Sequence, residues 1–345
     1  MQRKEMYIME YFSLMNKDNK ILDFSVEIDE YGDTIFEEKE PYGIFPYGYQ
    51  DIQSFLRGRK APSHRKHIAS LMANAGIRTD VDYILFTKAL SLNDTVWVKP
   101  QGSHDTWDDV SLYRNTFNEV IARTAFDGVR PGKSFSQTSP EYSTEGLYAK
   151  CWIRTNHNIY LVKRPSETYG TEIFSEVMAS ELAEYICPYS VPYRLTEYHG
   201  KHVSICPIFT SEKIGFIPTY KFIPSNMNIS KLLEIYNRYG AEEEFRRMLV
   251  FDALILNEDR HSGNYGFLFE NDTGRILGMN PVFDHNRSLL FDLKEYDVRA
   301  IRDKLPRLGG DFNILANKLL TPEIRLDLIN LQGFHFQNQL MVLPE

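Results

Sequence analysis

An aspartate and an asparagine five residues apart, Asp259 and Asn264, stand in the segment NEDRHSGNYGFLF, and a second aspartate, Asp284, follows in PVFDHNRSLL. Apolar runs frame both segments. This reads as a loop between a helix and a strand, then a hairpin whose second strand ends at Asp284. The side-chain types suit phosphoryl transfer. That reaction needs a carboxylate to orient the attacking hydroxyl, oxygen ligands for Mg²⁺ and a cation on the phosphates. Asp259 is a charged acceptor and Asn264 offers a neutral carbonyl, so the two can divide the first two tasks. Asp284 would complete the metal site.

The cation is sought on a strand, where an apolar stem can bury and a charged head can reach phosphate. Lys163 ends the apolar run Ile159–Val162 and fits that description, with Arg164 as its near competitor. A partner carboxylate should sit on the next helix, where Glu172, Glu176 and Glu181 are available. Glu176 is the choice because Ala179, Ser180 and Ala183 share its face and let the helix approach another element closely.

The elements that must position these residues are legible in part. A helix is expected over Glu172–Ile186, N-capped by Thr171 and stopped by Pro188. A second is expected in AEEEFRRMLVFDALILN, whose apolar residues recur every three or four positions behind three glutamates. Leu147–Ile153, Ile159–Val162 and HVSICPIF read as strands, the first two joined by RTNHN. Further upstream, helices are expected over Ser63–Ala75 and Leu112–Ala125. YILFTKALSLNDTVWVKP reads as strand, turn and strand, and GVRPGKSFSQTSPEYSTEG as a boundary. The domain reading is an N-terminal α+β module at 1–127, a small β-rich lobe at 128–210 and a mostly helical lobe at 211–345.

Asp259-Arg260-His261-x-x-Asn264, followed by Phe283-Asp284, resembles the catalytic and metal-binding segments of HipA-like bacterial serine/threonine kinases, and phosphoinositide kinases use a similar loop. SLNDTVWVKP and WDDVSLYRNTFNE resemble the region before the kinase core of such proteins, so matching features run from about residue 85 to about 290. The resemblance implies an α+β, bilobal protein-kinase-like fold with an added N-terminal module. It implies Asp259 as catalytic carboxylate, Asn264 and Asp284 as Mg²⁺ ligands, and His261 among the nucleotide-contacting residues. His285 follows Asp284 where a Gly-containing triplet, Asp-Phe-Gly in kinases, is expected. Ser143, Thr144 and Gly146 would belong to a phosphate-covering loop, with Lys150 close by. Ile208 and Phe209, after Pro207, would form the hinge whose backbone binds adenine. ATP and Mg²⁺ are the expected cofactors, a protein Ser/Thr hydroxyl the expected acceptor, and a small antitoxin a possible partner. A small-molecule or lipid kinase of the same fold, or a nucleotide-binding module without catalysis, are the rival readings.

Composition narrows the class. A hydrophobic share of 43% and 43 Phe and Tyr side chains (22 and 21) in 345 residues support packed cores rather than disorder. The formal net charge of −8 argues against autonomous nucleic-acid binding. One basic stretch, Arg57 to Lys66, reads as a solvated helix and loop. Three cysteines with no CxxC pair, no signal-like start and no apolar run of membrane-spanning length fit a cytoplasmic protein.

Overall fold

The computed structural model describes residues 9–31, 33–128, 138–156, 158–224, 227–292 and 298–337. These divide into two compact units. The first takes in the chain to Ile153 together with Thr210–Gly215 and Glu270–Gly274. The second holds Arg154–Phe209, Phe216–Phe269 and Arg275 onward. The division at Ile153 lies well past the sequence-based boundary at 127/128, and residues 129–137 of the Gly-, Pro-, Ser- and Thr-rich stretch fall outside the described residues.

The first unit is built on an antiparallel sheet of β1 (Glu10–Asn16), β2 (Asn19–Ile28), β3 (Thr34–Glu38) and β4 (Val96–Pro100), in the order β3-β2-β1-β4. Helices α1 (Ile52–Arg59), α2 (Ile68–Asn74), α3 (Asp80–Thr87), α4 (Trp107–Val110) and α5 (Glu119–Asp127) complete it. Two expectations need correction here. Tyr83–Thr87 is helical, not a strand, because Thr79 and Asp82 form a capping box that starts α3 before the apolar run begins. The helix expected from Leu112 starts only at Glu119, where the Asn118 side chain accepts from the Val120 and Ile121 amides.

The basic stretch is not simply solvated. Arg59 is buried against Asp94 at 2.7 Å and Arg65 against Glu141 at 2.6 Å. Buried guanidinium groups need such partners, because an unpaired charge out of water is very costly.

Strand β5 (Lys150–Thr155) spans the division at Ile153, and the second unit carries β6 (Asn158–Lys163), β7 (Arg194–Tyr198) and β8 (Lys201–Pro207) in the order β6-β8-β7. Helix α6 (Glu172–Ile186) packs on this sheet through Ile173 and Val177, against Val191, Tyr193, Leu195 and Cys206. A second sheet, β11-β10-β9, joins β9 (Ile214–Pro218), β10 (Gly266–Glu270) and β11 (Ile276–Met279). The remaining helices are α7 (Thr219–Phe222), α8 (Ile229–Arg238), α9 (Glu242–Ile255), α10 (Val298–Arg302), α11 (Phe312–Leu319) and α12 (Pro322–Asn330). Tyr236 stacks on Phe245 and Phe267, tying α8, α9 and β10 into one aromatic core.

At Gly266 the backbone of β10 lies directly against that of β9. A Cβ there would lie 2.1 Å from the Ile217 carbonyl oxygen and 2.8 Å from Pro218 Cα, both backbone atoms that cannot swing aside. Gly266→Ala should therefore destabilise the protein by about 3 kcal/mol. Urea unfolding checks this, and a loss under about 0.5 kcal/mol would contradict the close approach.

Candidate active site

Helix α9 ends at Leu256, which takes a left-handed conformation (φ 54°) and turns the chain into the Asp259 loop. Asn257 then acts on both sides of the turn. Its side-chain Oδ1 accepts the Asp259 amide at 3.1 Å, and its side-chain Nδ2 donates to Asp252 Oδ1 on α9 at 3.0 Å. The loop closes on itself. Asn264 Nδ2 donates to the Asp259 carbonyl at 3.2 Å, and the Asn264 amide donates to the His261 carbonyl at 2.8 Å. His261 Nδ1 accepts the Gly263 amide at 3.1 Å, so its ring braces the turn.

Arg260 holds this loop to its neighbours. Its side chain is 1% exposed and forms a two-point pair with Asp252, Nε to Oδ2 and Nη2 to Oδ1, each 2.9 Å. Its Nη1 donates to the carbonyls of both Asn264 (3.3 Å) and Phe283, and Nη2 meets His285 Nδ1 at 3.1 Å. One guanidinium thus fixes the backbone at Asn264 and the residue before Asp284 together. A planar five-donor fork is what such a junction requires, and lysine could not supply it.

Asp284 is not at the end of the hairpin strand, as the sequence pattern implies. Strand β11 stops at Met279. The chain then runs past Asn280 and Pro281 to Val282, which makes a single parallel bridge to Ser190. Asp284 follows in a left-handed conformation, φ 60°, with its amide donating to the Tyr193 hydroxyl at 3.2 Å. Phe283 packs beneath it on Phe209 and Phe216, with centroids 5.3 and 5.8 Å away.

Lys163 joins the rest. Its ammonium donates to Glu176 Oε1 at 2.5 Å and Asp284 Oδ1 at 2.7 Å, and lies 4.9 Å from the Tyr193 ring centroid. Glu176 is fully buried and accepts from Ser204 through its other oxygen at 2.7 Å. Burial opposes the ammonium charge, but Asp284 and Glu176 outweigh it and hold the Lys163 pKa well above its ordinary value. Burial pushes Glu176 upward against the pull of Lys163.

Helix α6 brings Glu176 there because Ala179, Ser180 and Ala183 are buried and let it lie close. Thr171 takes the N-cap position, as the sequence implies, but its side chain makes no capping bond. Its hydroxyl instead donates to the Phe291 carbonyl, and Ser175 likewise donates to the Ser288 carbonyl at 2.6 Å, so both anchor the segment after Asp284.

The second unit therefore gathers Lys163, Glu176, Asp284, Asp259, His261 and Asn264. Ser143, Thr144 and Gly146 belong to the first unit. There the Ser143 and Thr144 hydroxyls both donate to the Pro140 carbonyl, and Gly146, at φ 97°, faces the Lys150 ammonium. The Ile208 amide donates to Ile159 across the sheet, which removes that donor from adenine recognition, and the Phe209 side chain sits in the aromatic cluster. Arg260, Tyr193 and Asp252 were not legible as site residues. Arg260 stands inside the hexad that identifies the loop, but nothing in one sequence says that it is the buried hub.

His285 is completely buried, with Arg260 donating to Nδ1 and Nε2 without a partner. An imidazolium there would face the guanidinium, so burial first and Arg260 second depress its pKa well below the usual value. A depressed folded pKa means the unfolded chain binds the extra proton. The stability from His285 is complete above about pH 6.5 and is lost as pH falls below it, by up to about 1.4 kcal/mol per pH unit. In magnesium-free buffer, the stability difference between wild type and His285→Asn should shrink between pH 7 and pH 5. A constant difference would contradict a neutral buried imidazole.

Among the described residues, no group of three His, Cys, Asp or Glu side chains forms a metal cage. The oxygen donors of Asn264 and Asp284 suit Mg²⁺, which takes one or two carboxylates and completes its shell with phosphate and water.

Residues 148–301 match the family model of the HipA-like kinase. This segment is similar to HipA-like kinases. It spans Lys163, Glu176, Asp259, Asn264 and Asp284. The chain is 25% identical over 174 residues to the serine/threonine-protein kinase CtkA of Helicobacter pylori strain J99, which covers 44% of this chain and 53% of that protein. The chain thus spans about half the length of this curated relative. Among solved structures, HipA of the Shewanella oneidensis MR-1 toxin–antitoxin system, in a complex with HipB and operator DNA, superposes with a TM-score of 0.55. It is 13% identical and covers 93% of this chain and 87% of that one. The fold is α+β and kinase-like. No helix among the described residues is long and apolar enough to cross a membrane.

Proposed function

We propose that this chain is an ATP- and Mg²⁺-dependent phosphotransferase whose acceptor is a serine or threonine hydroxyl on a protein. The observation that carries this reading is the buried Lys163 ammonium held between Glu176 and Asp284, on the unit where Arg260 ties the Asp259 loop to Phe283. Such a lysine, prepositioned by a helix carboxylate, is the arrangement that holds nucleotide phosphates in kinases. The family match and the name of the CtkA relative support the same activity.

In this mechanism Lys163 binds phosphate oxygens and Glu176 keeps its head in place. Asp259 orients the acceptor hydroxyl and takes its proton. Asn264 and Asp284 would hold Mg²⁺, which when bound neutralises charge on the phosphates. Arg260 and Asn257 keep the Asp259 loop rigid, so little reorganisation is needed during transfer. A small antitoxin-like protein is the proposed partner, by analogy with the HipB found with the Shewanella HipA.

The test uses γ-labelled ATP with the purified chain and three acceptor classes: proteins and peptides, phospholipid vesicles, and small alcohols such as aminoglycosides. Mg²⁺-dependent label on Ser or Thr is expected. Label confined to lipid or small molecules would overturn the protein acceptor, and no label anywhere would overturn the enzyme.

A further inference from the structure

Two guanidinium groups meet the Asp259 carboxylate, one at each oxygen. Arg307 Nη1 lies 3.2 Å from Oδ1, and Arg287 Nη1 lies 3.8 Å from Oδ2. Neither belongs to the Asp259 loop, and both come from anchored backbone. The Arg287 carbonyl accepts the Glu258 amide at 3.3 Å, and the Leu289 amide donates to Ile255 at 2.7 Å. The turn carrying Arg307 is fixed by Lys304, which bonds Glu258 at 2.6 Å and Asp292 at 2.7 Å, and by the buried Pro306. The two side chains themselves remain open to solvent, 42% exposed for Arg287 and 57% for Arg307. In a chain of net charge −8, Arg299, Arg302, Lys304 and Arg307 stand within one short run beside a single acid, Asp303.

An acceptor hydroxyl must take over Asp259 oxygens that these cations now contact. Exposed ion pairs are weak, so the exchange is easy, but the released guanidinium groups then favour another anion. Their planar forks match a carboxylate. We infer that Arg287 and Arg307 are specificity-determining residues that select a peptide acceptor carrying Asp or Glu beside its Ser or Thr. This rests on Asp259 being the carboxylate that orients the acceptor. Open, separately anchored arginines fit an extended peptide on a surface better than a small molecule in an enclosed pocket.

The experiment compares kcat/KM on Ser peptides flanked by Asp and Glu, by Asn and Gln, or by Lys and Arg. It uses the full chain as wild type, Arg287→Gln/Arg307→Gln and Arg287→Glu/Arg307→Glu. Wild type should favour acidic over neutral flanks on the order of tenfold. The glutamine variant should erase that ratio, and the glutamate variant should shift preference to basic flanks. An unchanged Mg·ATP thermal shift in both variants separates lost selection from lost folding. Equal kcat/KM on all three sets, or an unaltered order in the glutamate variant, overturns the inference and leaves phosphotransfer standing. Transfer to no peptide, or to phosphoinositide vesicles alone, overturns the protein-acceptor reading and this inference with it.

Discussion

Asp259→Asn should lower phosphoryl transfer by about a hundred- to ten-thousandfold while ATP affinity stays within about twofold. The substitution keeps side-chain shape and the loop's backbone bonds, because Asn264 and His261 both use the Asp259 carbonyl rather than its carboxylate. What it removes is the negative charge that accepts the hydroxyl proton. The pairs with Arg287 and Arg307 are exposed and contribute little to folding, so the variant should melt within a few degrees of wild type. Single-turnover transfer and calorimetric ATP binding check the two halves of the prediction. A variant retaining more than a tenth of wild-type turnover would remove Asp259 from the chemistry.

The largest stability effect should come from Arg260→Met, about 3–5 kcal/mol. Deleting the guanidinium leaves the buried Asp252 carboxylate with only Asn257 as partner, and leaves the Asn264 and Phe283 carbonyls without their shared donor. Asp252→Leu/Arg260→Met should recover most of that loss, since replacing both ions of a buried pair by apolar groups is often neutral. Activity should not return with it, because nothing then fixes Asn264 against Phe283. Denaturant unfolding of the two single variants and the double gives the coupling energy. Additive losses would mean that the pair does not act as a unit. Restored turnover in the double would mean that the junction is not what positions the loop.

These effects show what one sequence could and could not convey. Helix α6 was legible to its bounds, because its apolar and small residues repeat with the helical period and Pro188 stops it. The partnership of Lys163 and Glu176 was legible for the same reason: strand and helix are adjacent in sequence, and the small-residue face announces close packing. Asp284 was legible as a residue but not as a conformation. Its place depends on Val282 bridging Ser190 and on the Tyr193 hydroxyl, contacts across long sequence separations that no local period encodes. Arg260 illustrates the same limit in reverse. A basic residue in a polar loop reads as solvated, and only the assembled Asp252, Phe283 and His285 reveal it as buried. Tyr83–Thr87 failed because the capping box of Thr79 and Asp82, just upstream, outweighed a β-like composition.

The central claim is that Asp284 and Asn264 form the protein's share of a Mg·ATP site. Thermal unfolding with ATP alone and with ATP plus Mg²⁺, on wild type and Asp284→Asn, tests it most directly. Saturating Mg·ATP at about a hundred times Kd should stabilise wild type by about 2.7 kcal/mol, with ATP alone giving clearly less. Asp284→Asn should keep a response to ATP and lose the increment from Mg²⁺. The same Mg²⁺ increment in both proteins, or none in wild type, would contradict the account.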